Sequence, residues 1–209
     1  GDPSPATAKG ILIGIEAASR AAFGSTKLEG MTVSLQGLGQ VGLALAKLLA
    51  RRGARLIASD VSQEKIRRAR KILQLKIVSP SVIHKVPAEI FSPCALGGIL
   101  HPASIREIRA RIVAGGANNQ FASEKRDSAV LHRRGILHAP DYVINAGGLI
   151  QLYVKEILKE ENITPWLERI GETLATIFLE SQTRNLAPLA VADRMTRQKI
   201  RRVKKRNNS

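Results

Sequence analysis

The run Gly37-Leu38-Gly39-Gln40-Val41-Gly42 constrains this chain more than any other segment, because three glycines in six residues dictate how the backbone must turn. Before it, Met31 to Gln36 carries Val33 and Leu35 at the spacing of a short strand. After it, Leu43 to Arg52 has the apolar spacing of a helix. Strand, glycine turn and helix in that order predict the start of a βαβ unit. Gly53 ends the helix, Arg55 to Ser59 reads as the second strand, and Asp60 stands at its carboxyl end.

Each part of that unit suits a pyrophosphate. Gly37 permits the tight turn, Gly39 lets backbone approach phosphate, and Gly42 allows close helix–strand packing, while Gln40 and Val41 open the helix. Free N–H groups and the positive dipole end at a helix start favour an anion without a lysine in the loop. Asp60 follows Gly37 at close to the roughly 20-residue offset at which a carboxylate meets ribose hydroxyls. A carboxylate there repels a 2′-phosphate, so NAD is expected over NADP. Asp60 could instead cap a helix starting near Ser62. Arg67 and Arg68, one turn on, either leave room for a 2′-phosphate or form a solvated helix face.

The alternation continues downstream. A helix over Gln63 to Leu73, strands near Lys76 to Val78 and Glu89 to Phe91, and a helix over Pro102 to Arg109 are predicted. A strand over Arg111 to Ala114, a helix over Glu124 to Arg134, and a final strand pair over Ile136 to Ala139 and Tyr142 to Ile144 follow. Upstream, Ala6 to Phe23 reads as a lead-in helix after a Pro-rich, linker-like start, Gly1 to Pro5. After Gly147-Gly148 only helices are predicted: Leu149 to Glu161, Pro165 to Arg184 and Leu189 to Arg202. The expected fold class is therefore α/β, a Rossmann-type doubly wound, mostly parallel sheet with a C-terminal helical segment. The expected division is a lead-in over 1–25, a dinucleotide-binding domain over 26–148, packing helices over 149–196 and a basic tail over 197–209. With 44% hydrophobic but only 3% aromatic residues, the core must be built mostly of Ile, Leu, Val and Ala.

Several longer motifs, in order, resemble the glutamate/leucine/phenylalanine/valine dehydrogenase family, particularly its leucine/valine/phenylalanine branch. They are Gly1 to Ala8, Gln36 to Gly42, Phe91-Ser92-Pro93-Cys94-Ala95-Leu96-Gly97-Gly98, Ala114 to Gln120 and Ala139 to Gly148, with a late Ala192-Asp193-Arg194-Met195. The resemblance implies NAD-dependent, reversible oxidative deamination of an L-amino acid, aliphatic or branched, to a 2-oxo acid and ammonia. It also implies a homo-oligomer in the full-length protein. By motif position, it implies Thr7 near the nicotinamide carboxamide, Cys94 and Ala95 on the adenosine side, and Ala117, Asn118 and Asn119 beside the nicotinamide ribose. Asn145 would sit between nicotinamide and substrate. Simpler roles stay open: turn chemistry for the paired glycines and for Asn118 and Asn119, an inert packed thiol for Cys94, and core packing for Val143, Leu149 and Ile150, which could otherwise face the substrate pocket.

The family's proton-transfer lysine and its aspartate partner belong to a preceding substrate domain whose motifs this sequence does not contain. The amino-acid or 2-oxo-acid substrate is therefore expected to bind through a missing N-terminal domain, with no catalytic residue assignable here and no turnover by the chain alone. The histidines His84, His101, His132 and His138 lack metal-ligand spacing, and no metal is expected. One cysteine and no apolar run of the ~18 residues that a membrane span needs predict a soluble protein of the cytoplasm, without a membrane partner. The net charge of +16, concentrated between Arg194 and Arg206, leaves two rivals. One is a basic nucleic-acid-binding protein, disfavoured for want of aromatic stacking platforms, with non-specific contact through the tail expected at most. The other is a non-catalytic NAD-sensing domain.

Overall fold

The computed structural model describes the backbone of residues 1–207 and the side chains of residues 1–204. The last two residues of the expected basic tail, and the side chains of Lys205, Arg206 and Asn207, lie outside the described residues.

Six short strands form one fully parallel sheet: β1 (Thr32–Gln36), β2 (Arg55–Ser59), β3 (Lys76–Ile77), β4 (Ile90–Pro93), β5 (Ile112–Val113) and β6 (Leu137–His138). Their spatial order is β3-β2-β1-β4-β5-β6. The chain winds outward from β1 in one direction, then returns to β4 and winds in the other. The loops after β1 and β4 therefore diverge, which opens a crevice at the carboxyl ends of the strands.

Helices cover both faces, as the strand sequences require. Along β4 and β5, Ile90 and Ile112 enter one core cluster while their neighbours Phe91 and Val113 enter the other, the period of two expected of strands buried on both sides. The larger cluster joins α1 (Ser4–Phe23), α2 (Gln40–Arg51) and α3 (Gln63–Arg70) to the sheet, and the smaller joins α4 (Pro102–Glu107) and α5 (Glu124–Arg133). The start of the chain is not a linker. Asp2 Oδ1 accepts the Ser4 backbone N–H at 2.9 Å, and Pro5 lies in the first turn of α1, where its missing N–H costs nothing. Ala8, Ile11, Ile15 and Ala18 of α1 are fully buried.

The expected second half of the final strand pair is a helix. Pro140, at φ −54°, cannot donate to a ladder, and Tyr142 to Ile144 fall within the one-turn helix α6 (Asp141–Ile144). This turn drives Ile144 against α1 at Gly14, where even a Cβ would collide with its side chain. The helix expected over Leu149 to Glu161 is split as well, into α7 (Gly147–Leu152) and a π-helical turn at Tyr153–Ile157. The helix expected to run to Leu73 stops at Arg70, and Leu73 and Leu75 turn in against the core.

The last two helices, α8 (Thr164–Arg184) and α9 (Pro188–Asn207), complete the chain. Leu167, Ile170, Leu174, Ile177 and Phe178 place α8 directly on α1 within the larger cluster, so α8 is part of the same core as the sheet. The basic run after Arg197 continues α9 as helix.

Phe178 is 1% exposed at the centre of that contact. Phe178→Ala should lower the unfolding free energy by about 3–5 kcal/mol in urea denaturation. A loss below about 1 kcal/mol would mean that α8 only rests on the surface of the fold.

Candidate functional site

The sequence-predicted residues converge on the carboxyl edge of the sheet. Gly37 leaves β1 at φ +97°, in the left-handed region that glycine tolerates, and its N–H donates to the Ser59 carbonyl of β2 at 2.7 Å. The Cys94 N–H donates to the Gln36 carbonyl at 2.7 Å, tying the β4 loop to the same turn. A Cβ on Gly42 would strike the Gly37 carbonyl, so the start of α2 lies hard against the turn. At Gly39 a Cβ would meet nothing within 4 Å. That open space lies at the N-cap of α2, and no side chain caps this helix, so its first-turn N–H groups are left for a ligand.

Asp60 is held between two backbone donors. Its Oδ2 accepts the Leu38 N–H at 2.7 Å, inside the glycine turn, and its Oδ1 accepts the Ser62 N–H at 2.8 Å. The capping side chain of α3 is Ser62, whose Oγ accepts the Lys65 N–H at 3.4 Å. The Asp60 carboxylate thus braces the glycine turn while keeping lone pairs for further donors.

Gln36, Gly37, Gly39, Ser59, Asp60, Cys94 and Ala95 all line one groove of about 430 Å³. Within it the Gln36 Oε1 and Ser59 Oγ are buried without a hydrogen-bond partner. Two orphaned polar atoms beside an uncapped helix start and an open glycine fit the polar body of a dinucleotide. Sequence reasoning did not assign Gln36, Ser59, Val61, Lys65, Pro80 and Leu96 of this groove to the site. Val61 and Leu96, each 87% exposed, stand on the β2 and β4 loops and suit the faces of a flat ring, and Lys65 adds a cation at the rim. Their exposure is a tertiary property, and nothing in the spacing of apolar residues marks it. Arg67 and Arg68 are exposed on α3 and do not line this groove, although Arg68 reaches a small cavity of about 160 Å³ beside Gly39 and Gln40.

Cys94 is packed. Its Sγ accepts the Gly116 N–H at 3.4 Å, and burial pushes its thiol up from the ordinary cysteine value, which keeps it protonated and unreactive. Further along the same edge, Val41 stands next to Gly116, and the buried Ala117 donates its N–H to the Pro93 carbonyl at 2.9 Å. Asn145 Nδ2 donates to Asn118 Oδ1 at 2.6 Å, joining the β5 and β6 loops. Asn119 adopts φ +51°, the left-handed turn that its residue type tolerates, which accounts for it without a ligand. Thr7 lies elsewhere on this edge: its Oγ1 donates to the Pro3 carbonyl at 3.0 Å, and it shares a second cavity of about 430 Å³ with Gly148, Leu149 and Leu152. Leu149 is exposed there, whereas Val143 and Ile150 pack on the core.

The β5 loop is held from below by a buried pair. Gln120 Nε2 donates to the carbonyls of Gly115 and Ala117, both at 3.0 Å, which turns its Oε1 toward His138 Nε2 at 3.3 Å. That oxygen can only accept, so His138 carries its proton on Nε2. Burial pushes the His138 imidazole down to about 3. Among the described residues no group of three His, Cys, Asp or Glu side chains could hold a metal, and no helix is long and apolar enough to cross a membrane.

A doubly wound parallel sheet with an open glycine turn, a carboxylate after β2 and a groove at the strand reversal defines a Rossmann-type α/β fold. Comparison with known proteins gives the family. The Glutamate/Leucine/Phenylalanine/Valine dehydrogenase profile matches residues 60–198. The leucine dehydrogenase of Geobacillus stearothermophilus is 40% identical over 207 residues, covering 98% of this chain and 56% of that protein. The L-tryptophan dehydrogenase of Nostoc punctiforme is 40% identical over 201 residues, covering 96% and 57%. A crystal structure of L-tryptophan dehydrogenase from Nostoc punctiforme superimposes with a TM-score of 0.93 at 37% identity, over 98% of this chain and 63% of that one. This chain belongs to the glutamate/leucine/phenylalanine/valine dehydrogenase family. It spans a little over half the length of the curated relatives that it matches.

One consequence of the buried pair concerns pH. An unfolded histidine titrates near 6.5, so between that value and about 3 the unfolded chain binds a proton that folded His138 does not. This part of the stability is present above about pH 6.5 and is lost as the pH falls. Between about pH 7 and pH 4 the wild type should lose more unfolding free energy than His138→Gln in chemical denaturation. Equal losses would show that His138 titrates normally in the fold.

Proposed function

We propose that this chain is the NAD-binding portion of an amino-acid dehydrogenase that interconverts an L-amino acid with a 2-oxo acid and ammonia. The observation that carries the reading is the groove of Gly37, Gly39, Asp60, Cys94 and Ala95, with its orphaned Gln36 and Ser59 oxygens. In this reading the pyrophosphate lies over Gly39 at the start of α2, Asp60 accepts from the adenosine ribose, and Val61 and Leu96 flank the adenine. Asn118, held by Asn145, and Ala117 border the nicotinamide ribose, which directs the ring toward Thr7 and Gly148. When bound, NAD supplies the hydride acceptor.

The protein's own residues bind, orient and exclude water; proton transfer falls to the lysine and aspartate that the family resemblance puts in a substrate domain. Leu149 and Leu152 line the cavity beside Thr7 and present aliphatic surface, in keeping with an aliphatic side chain on the amino acid. The whole enzyme is a homo-oligomer in this reading.

Calorimetric titration tests the cofactor assignment. The wild type should bind NAD saturably and more tightly than NADP. Gly39→Val should fold normally, since its Cβ faces open space, yet lose NAD binding. Asp60→Ala also removes the acceptor for Leu38 and Ser62, so the informative readout is the ratio: the preference for NAD over NADP should fall about tenfold, the worth of a hydrogen bond to a charged group. No saturable binding of either nucleotide by the folded chain would overturn the assignment. The chain alone should form no NADH from leucine, valine or phenylalanine.

A further inference from the structure

A cavity of about 920 Å³ lies away from the dinucleotide groove, between α5 and the turn that joins α8 to α9. Its floor is apolar, with Ala129, Ala187 and Leu189, and four cations line it: Lys125 and Arg133 from α5, Arg194 and Arg197 from α9. Two acids accompany them. Asp193 is engaged by the Tyr142 hydroxyl at 2.9 Å, and Glu124 lies in the first turn of α5. Arg194 pairs with Glu180, while its buried Nε has no acceptor.

The α9 wall of this groove does not end with it. Arg194, Arg197, Arg201 and Lys204 are spaced three or four residues apart and so share one face of a continuous helix. At 1.5 Å per residue, the stripe runs about 15 Å along the axis. Arg197, Arg201 and Lys204 form no ion pair among the described residues. A line of cations without ion-pair partners on a helix, in a chain of net charge +16, favours an extended anion.

The geometry points to a nucleic-acid strand lying along this track, held by its phosphates. The Arg197 and Arg201 forks can each engage a phosphate bidentately, and Lys204 adds a point charge on the same face. An acidic protein would be anchored by side chains seated in an apolar socket, and at the Arg201 and Lys204 end of the stripe the apolar neighbours Ile200 and Val203 are exposed side chains, not a socket. No Phe, Tyr or Trp lines the groove, so bases are not stacked and contact is confined to the backbone, independent of sequence. This surface is separate from the dinucleotide groove, and the inference stands whether or not that groove binds NAD.

The test is fluorescence anisotropy with a labelled oligodeoxythymidylate across a salt series, using the whole chain and two charge-matched triple variants. Arg197→Glu, Arg201→Glu, Lys204→Glu removes the stripe. Lys27→Glu, Lys71→Glu, Lys76→Glu makes the same change in net charge at exposed positions outside the groove. The stripe variant should bind at least about tenfold more weakly, and its log–log salt slope should shrink by about 2, the value for three lost phosphate contacts to a single strand. The matched variant should keep most of its affinity and slope. Circular dichroism should show both variants folded. Equal weakening in the two would assign the binding to net charge alone and overturn the proposal, as would the absence of salt-sensitive binding by the wild type. A labelled poly-glutamate peptide of matched charge, bound as tightly as the oligonucleotide, would overturn it in favour of an acidic protein partner.

Discussion

The fold turns on one close approach. At the end of β1 the Gly37 carbonyl lies where a side chain on Gly42 would have to stand, and a side chain on Gly37 would in turn strike the Cys94 carbonyl. Strand, helix and the neighbouring β4 loop therefore meet at backbone distance. Because β1 is central and the winding reverses between β1 and β4, this contact falls where the parallel sheet opens. The same sterics that pack α2 onto the sheet leave the helix start bare and the crevice open.

Around this contact, the loops are held by polar groups, some of which also face the groove. Asp60 braces the glycine turn through Leu38 and enters α3 through Ser62, with acceptor capacity to spare. Asn118 and Asn145 hold two loops to each other, and Gln120 with His138 supports the β5 loop from inside the core. Beneath the site, α1 and α8 bury a continuous aliphatic layer against the larger face of the sheet.

The sequence made the glycine turn, the first two strands and Asp60 legible, because each carries a local signal of spacing or turn chemistry. Of the groove residues, Gly37, Gly39 and Asp60 follow from glycine spacing and strand ends, whereas Cys94 and Ala95 come from motif position in the family resemblance. Less legible were features decided by tertiary packing. Tyr142 to Ile144 has a strand-like composition, yet Pro140 denies it a ladder and α1 supplies a place for Ile144. Val61 and Leu96 look like ordinary apolar residues in sequence, and only their exposure on facing loops distinguishes them. The Pro-rich start reads as linker, yet Pro3 is the N-cap of α1 and Pro5 lies in its first turn, where proline is also at home.

The most direct measurement is backbone amide NMR of the isotope-labelled chain titrated with NAD. The account predicts shift changes concentrated at Gly37 to Gly42, Asp60, Cys94 to Leu96, and Asn118 with Asn145, with little change along α5 and α9. Changes confined to the α5–α9 groove, or none at saturating nucleotide, would contradict it.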